Sequence, residues 1–175
     1  GFPNGYMTTA AKVFETEDAV KNGADEIDMV INIGDLKDKN YAAIEDEIRK
    51  LKEICGEKIL KVIIETCYLT EEEKIELCHC VTEAGADFIK TSTGKGYPGA
   101  TFEAAYTMCK AIKTYHSITG NKVGIKISGG VRTAEDAVRY YTIVKEILGN
   151  EWLNKDLFRI GASSLVGDIE KRLGK

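Results

Sequence analysis

Gly85-Ala86-Asp87-Phe88-Ile89-Lys90 repeats, 62 residues on, the pattern of Gly23-Ala24-Asp25-Glu26-Ile27-Asp28. Each copy closes a helical pattern and opens a short strand, with glycine as the helix stop. The two copies lie two strand–helix units apart, and the alignment sets Asp28 against Lys90. In a (β/α)8 barrel, alternate strands supply side chains to one interior layer. The repeat therefore predicts Asp28 and Lys90 at one height, facing a common centre.

The rest of the chain alternates in the same way. After a loop over 1–7, a helix is expected from Thr8 to about Asn22, with Ala11, Val13, Phe14, Ala19 and Val20 as its apolar positions. Strands are expected over 26–32, 59–65, 87–92, 123–128 and 158–161. Between them, Ile44, Ile48, Leu51 and Ile54 mark one face of a helix over 41–54. Thr70 with Glu73 makes a capping box for a helix reaching about Glu83. Further helices are expected over 101–115, from the Thr133/Asp136 cap to about Gly149, and from Ser163-Ser164 to Leu173. Five strands alternating with helices predict a parallel sheet covered by helices, either open and doubly wound or part of a barrel. The repeat favours an α/β fold of (β/α)8 TIM-barrel type, with about five of eight strand–helix units in one domain over 1–175.

Bulk properties exclude several classes. The chain has 175 residues, 43% hydrophobic and 30% charged, which is ordinary for a globular domain. A net charge of -4 and a pI near 5.4 leave no basic footprint for nucleic acid. No apolar run reaches the ~18 residues of a membrane span. The opening Gly-Phe-Pro-Asn-Gly reads as a turn rather than a signal peptide. Five cysteines without a C-x-x-C pair fit free thiols in a reducing cytoplasm. Cys78-His79-Cys80 sit ~100° apart on a helix and cannot converge on one metal.

Lysine is seldom buried without a partner, yet Lys90 stands in a strand with Phe88 and Ile89. Asp28, Lys61 and Lys126 likewise occupy strand positions where apolar residues are expected. One such residue reads as a structural pair, and Lys61 with Glu65 is expected to be that pair. Four ions on successive strands point to an active site at the carboxyl ends of the sheet. A lysine attacks a carbonyl only when neutral, so its pKa must fall from about 10.4 toward about 7. Burial and a neighbouring ammonium both act in that direction, and Lys126 is placed to be the neighbour. Asp28 then moves protons among the intermediates, helped by Lys126. The competing explanation of these ions is a buried salt-bridge cluster.

A phosphate is the expected ligand of the following loops. Ser163-Ser164 precede the last helix, where free N–H groups and the helix dipole favour an anion. Gly129-Gly130 lets backbone approach a ligand closely, and the last two barrel loops often bind phosphate. Gly94-Lys95-Gly96-Tyr97-Pro98-Gly99 satisfies G-x-G-x-x-G, but the acidic partner of a dinucleotide site is missing. His79 and His116 read as solvent-facing, and Glu71-Glu72-Glu73 as a favourable first helical turn.

Phe88-Ile89-Lys90-Thr91-Ser92-Thr93-Gly94, Lys61-Val62-Ile63-Ile64-Glu65-Thr66, Gly129-Gly130-Val131-Arg132-Thr133 and Gly161-Ala162-Ser163-Ser164 together resemble the deoxyribose-phosphate aldolases. The resemblance runs from Phe2-Pro3 to the last helix. It implies a class I aldolase on a (β/α)8 barrel, without metal or other cofactor, cleaving 2-deoxy-D-ribose 5-phosphate to glyceraldehyde 3-phosphate and acetaldehyde. It makes Lys90 the Schiff-base lysine, Lys126 the lysine that tunes and shuttles protons, and Asp28 the relay acid. Gly94, Lys95, Gly129, Gly130, Ser163 and Ser164 match the phosphate contacts. The implied partners are a small phosphorylated sugar and aldehydes, with neither nucleic acid nor membrane. Family members run near the ~250 residues of a full barrel, and this chain opens where the family's third strand is ending. The expectation is a piece of a longer protein, a chain completed by association (a homo-oligomer among the options), or an inactive one. The tyrosine tail that assists protonation in the family has no counterpart at Leu173-Gly174-Lys175. The alternatives are another lysine-dependent phospho-sugar aldolase and a silent barrel piece acting as a binding or assembly module.

Overall fold

The computed structural model describes residues 1–174. Its strands are β1 (Glu26–Val30), β2 (Ile59–Ile63), β3 (Phe88–Lys90), β4 (Gly124–Ser128) and β5 (Phe158–Gly161). The helices are α1 (Thr9–Lys21), α2 (Ile33–Lys37), α3 (Tyr41–Cys55), α4 (Glu71–Glu83), α5 (Phe102–Thr119), α6 (Ala134–Leu148) and α7 (Leu165–Arg172). Local chemistry sets most of these limits. Thr8, Thr70, Thr101 and Thr133 each accept a backbone N–H in the first turn of the helix that follows. The Thr70/Glu73 box closes in both directions. Gly23 and Gly85, the first residues of the repeat, have φ of 95° and 85°. Both stand just past a helix end, where only glycine adopts that backbone at no steric cost.

Helix α2 is not anticipated by the sequence. The Asn32 side chain accepts the Gly34 N–H at 3.0 Å, which ends β1 early and starts one turn of helix. The strands expected over 26–32, 59–65 and 87–92 are likewise shorter, because their carboxyl ends bend into the loops of the site.

All four pairings are parallel, and the strand order is β1-β2-β3-β4-β5. A doubly wound sheet reverses its order at a switch point, whereas a barrel runs in sequence. The outer face is apolar. Met29, Leu60, Val62, Ile89, Ile125 and Ile127 are buried against Ile48, Leu51, Leu77, Val81, Met108, Ile112 and Val144 of the helices. Burial of each such side chain contributes about 1.5–3 kcal/mol. The inner face carries Glu26, Asp28, Lys61, Lys90, Lys126 and Arg159.

Register explains how these ions meet. Asp28 stands beside Lys61 and Lys61 beside Phe88, so Lys90 lies two positions further along β3. A shear of 8 over eight strands advances a layer by about one residue per strand. Two strands thus require two residues, and Asp28 and Lys90 share a layer. The same rule places Glu26, Phe88 and Arg159 in the layer below. Arg159 stacks over the Phe88 ring at 5.4 Å and donates twice to Glu26, at 3.0 and 2.8 Å. On a flat sheet β1 and β5 would stand roughly 19 Å apart, at about 4.8 Å per strand. Their side chains meet because the sheet curls into the arc of a barrel. The fold is of (β/α)8 type, with five strand–helix units described.

One polar tie sits outside the arc. Lys12 of α1 is 1% exposed, and its ammonium donates to the Val30 carbonyl at 2.8 Å and to Glu47 of α3 at 2.7 Å. Thr9 also donates to Glu47. A buried lysine with both partners satisfied fastens α1 across the end of β1.

Candidate active site

Asp28 is the hub of the arc. Its Oδ2 accepts from Lys90 Nζ at 2.6 Å and from Lys126 Nζ at 3.1 Å, and its Oδ1 accepts from Lys61 Nζ at 3.0 Å. Lys61 and Lys90 are buried. Lys61 reaches Glu26 as well, at 2.5 Å. Burial pushes the Asp28 carboxyl upward, but the hydrogen bonds of Lys90 and Lys61 and the Lys126 charge outweigh it. The carboxyl is held well below the usual carboxylate range. Burial also lowers the Lys126 ammonium, opposed by Asp28 and reinforced by Lys90. Glu26, bonded chiefly by Arg159 and also by Lys61, falls to about 2 despite its burial.

The expected Lys61–Glu65 pair does not form. Strand β2 ends at Ile63, and Glu65 takes φ 50°, in the left-handed region. That turn carries its carboxylate away from Lys61 toward Thr93, leaving Lys61 to Glu26 and Asp28.

Above the ions opens a cleft of about 440 Å³, lined among others by Lys90, Thr93, Gly94, Lys126, Gly129, Gly130 and Ser163. Gly129 and Gly130 have φ of 87° and 83°, backbone that side chains resist. The loop after β3 rests directly on them: a Cβ on Gly99 would stand 2.4 Å from the Gly129 oxygen. Thr91 and Ser128 exchange hydrogen bonds at 2.9 Å, and Ser128 donates to the Ser92 carbonyl at 2.5 Å. These contacts brace the two loops against each other.

Four of the six expected phosphate residues thus share the cleft with the two lysines. Lys95 lines an adjoining hollow with Glu65, Tyr6 and Gly96. Ser164 is the residue before α7 and makes no side-chain cap bond. His79 and His116 are half-buried at the surface and do not line the cleft, and His116 packs edge-on against Trp152. Thr93, Ser128, Arg132 and Gly161 also line the cleft without being singled out in the sequence. Thr93, Arg132 and Gly161 stand inside motifs read there, so their signal was present. Gly161 leaves room for its neighbours, since a Cβ there would lie 3.0 Å from Ser128 Cβ and 3.4 Å from Lys126 Cε.

A barrel arc with lysines gathered on one carboxylate at its carboxyl end belongs to a lysine-bearing enzyme class. Residues 2–164 match the DeoC/LacD family of aldolases, and the chain is a member of that family. It is 54% identical over 155 residues to a deoxyribose-phosphate aldolase of Streptococcus pyogenes, covering 89% of this chain and 66% of that protein. A candidate deoxyribose-phosphate aldolase from Coccidioides immitis superposes with a TM-score of 0.84 at 37% identity, over 99% of this chain and 62% of that one. The tetrameric deoxyribose phosphate aldolase of Aeropyrum pernix shares the fold, with a TM-score of 0.77 at 22% identity, over 100% of this chain and 66% of that one. The chain spans about two thirds of the length of the curated relatives it matches.

Proposed function

We propose that this chain carries the imine site of an aldolase that reversibly cleaves 2-deoxy-D-ribose 5-phosphate to D-glyceraldehyde 3-phosphate and acetaldehyde. The observation that supports this reading best is Lys90 and Lys126 on one oxygen of Asp28, at the floor of a glycine-rimmed cleft. Neutral Lys90 attacks the aldehyde carbon, and loss of water from the carbinolamine leaves an iminium. The iminium draws the electrons of the C2–C3 bond as it breaks, the C3 hydroxyl gives up its proton, and glyceraldehyde 3-phosphate departs. The resulting enamine is protonated at C2, and water releases acetaldehyde from Lys90. Lys126, whose pKa burial lowers, exchanges protons near neutral pH more readily than a surface lysine. Asp28 touches both amines and passes protons between them.

Gly94, Gly129, Gly130 and Ser163 bring backbone N–H groups to the phosphate, together with the amino end of α7. Lys95 and Ser164 act at longer range from the rim. The partners are the phosphorylated sugar and aldehydes, and self-association is proposed from the tetrameric neighbour.

Borohydride trapping with acetaldehyde tests this. The expected result is a reduced ethyl adduct on Lys90 by peptide mapping, abolished in Lys90→Leu. A folded sample without adduct overturns the reading and leaves a barrel piece that binds or assembles. An adduct with turnover only of some other phospho-sugar moves the assignment to a related aldolase.

A further inference from the structure

Glu65 is at odds with its surroundings in two ways. Among the described residues, only it and Lys39 have a positive φ without being glycine. A side chain in that backbone costs roughly 1–2 kcal/mol and persists where neighbours over-determine it. Glu65 as a whole is also only 3% exposed, yet among the described residues no lysine or arginine pairs with its carboxylate. Burying a carboxylate without a cation is costly, so the bonds it does make call for a reason.

Those bonds all come from Thr93. The Thr93 N–H donates to Oε1 at 3.1 Å and to Oε2 at 3.3 Å, and the Thr93 hydroxyl donates to Oε2. Thr93 Oγ1 in turn accepts the Lys95 N–H at 3.0 Å. A chain from Glu65 through Thr93 to Lys95 therefore fixes the loop whose Thr93 and Gly94 line the cleft beside Lys90. A hydroxyl has one proton and two lone pairs. Here the proton goes to Glu65 and one lone pair to Lys95, so Thr93 offers the cleft an acceptor only.

We propose that Glu65 is a positioning residue: it turns the Thr93 proton away from the cleft and holds loop 93–95, so that the site accepts a substrate hydroxyl lying between the reacting carbonyl and the phosphate. The inference rests on the aldolase reading above. Glu65 touches no reacting atom. It acts on binding of the hydroxylated, phosphorylated chain, and acetaldehyde has no group that depends on it.

Two variants and two readouts test this. Glu65→Gln keeps size and backbone, but its amide donates to Thr93 and reverses the hydroxyl. Glu65→Gly relieves the backbone and removes the carboxylate. Both are expected to raise KM for 2-deoxyribose 5-phosphate up to about tenfold, the upper end of the scale of one hydrogen bond between neutral groups. Acetaldehyde trapping on Lys90 is expected to slow by less than about threefold in each, well under 1.4 kcal/mol. Thr93→Val should add little to Glu65→Gln, since both break one chain. Equal changes in KM and trapping, or loss of folding in both variants, would make the role structural and overturn the inference. Wild-type KM in Glu65→Gly would assign the effect to backbone alone and overturn it too. No adduct in the unmutated protein overturns the aldolase reading itself, a result distinct from these.

Discussion

The two faces of the same five strands are built on opposite principles. Residues one position apart in β4, Ile125 and Lys126, sit respectively in the apolar layer under the helices and in a cluster of three lysines around Asp28. The outer face offsets the conformational entropy of folding through apolar burial. The inner face concentrates charge where burial is least favourable and is repaid only by close pairing. Stability and chemistry are thus separated by the two-residue period of a strand, so a single substitution addresses one or the other.

The largest expected effect is on the inner face. Lys90→Leu should lower cleavage at least about 10⁴-fold, because the proposed reaction runs through an imine on Lys90. Its melting temperature should stay level or rise, since a buried ion gives way to an apolar side chain while Lys61 and Lys126 still hold Asp28. A fall in melting temperature as large as that of a core truncation would erase the contrast between the faces. Asp28→Asn should cost on the order of 10³-fold in rate, with steady-state kinetics as the check and the Lys90 adduct still forming, though more slowly.

On the outer face, Ile125→Ala should destabilise by about 3 kcal/mol in urea unfolding. At low temperature its folded fraction should still be trapped at Lys90, which sharpens the contrast if seen. The smallest effect concerns Glu26. Its folded pKa of about 2 lies below the ordinary value of about 4.3. It therefore contributes stability above about pH 4.3 that is lost as pH falls toward about 2. Arg159→Met removes the main cause of that depression, so acid unfolding followed by circular dichroism should begin at higher pH. The shift should be a few tenths of a pH unit, because the pair is partly solvated. No shift would mean that Lys61 alone holds Glu26.

How far the sequence foretold this follows from the range of each interaction. Caps and helix stops at Thr70, Gly23 and Gly85 act within a few residues, so their types alone predicted them. The layer shared by Asp28 and Lys90 was legible because a repeat carried it. Lys61 was misassigned because Glu26 and Glu65 are both nearby carboxylates, and only a left-handed backbone at Glu65 decides between them. The bond from Arg159 to Glu26 spans 133 residues and depends on curvature that no local pattern encodes. Lys95 and Ser164 came from the motif resemblance alone; Lys95 lines the adjoining hollow and Ser164 follows Ser163 of the cleft, placements that loop geometry decides.

The Lys12 tie bears on how this sheet can grow. Asp25 and Ile31 turn their backbone groups toward β2, so the alternate residues of β1 turn theirs to the open edge. At the last of these, Val30, the carbonyl is occupied by the Lys12 ammonium. A strand laid along β1 would meet the Lys12 ammonium at this carbonyl and share its oxygen, which keeps one free lone pair. Through Lys12, helix α1 holds a positive charge at the end of that open edge, on the last carbonyl a neighbouring strand would reach.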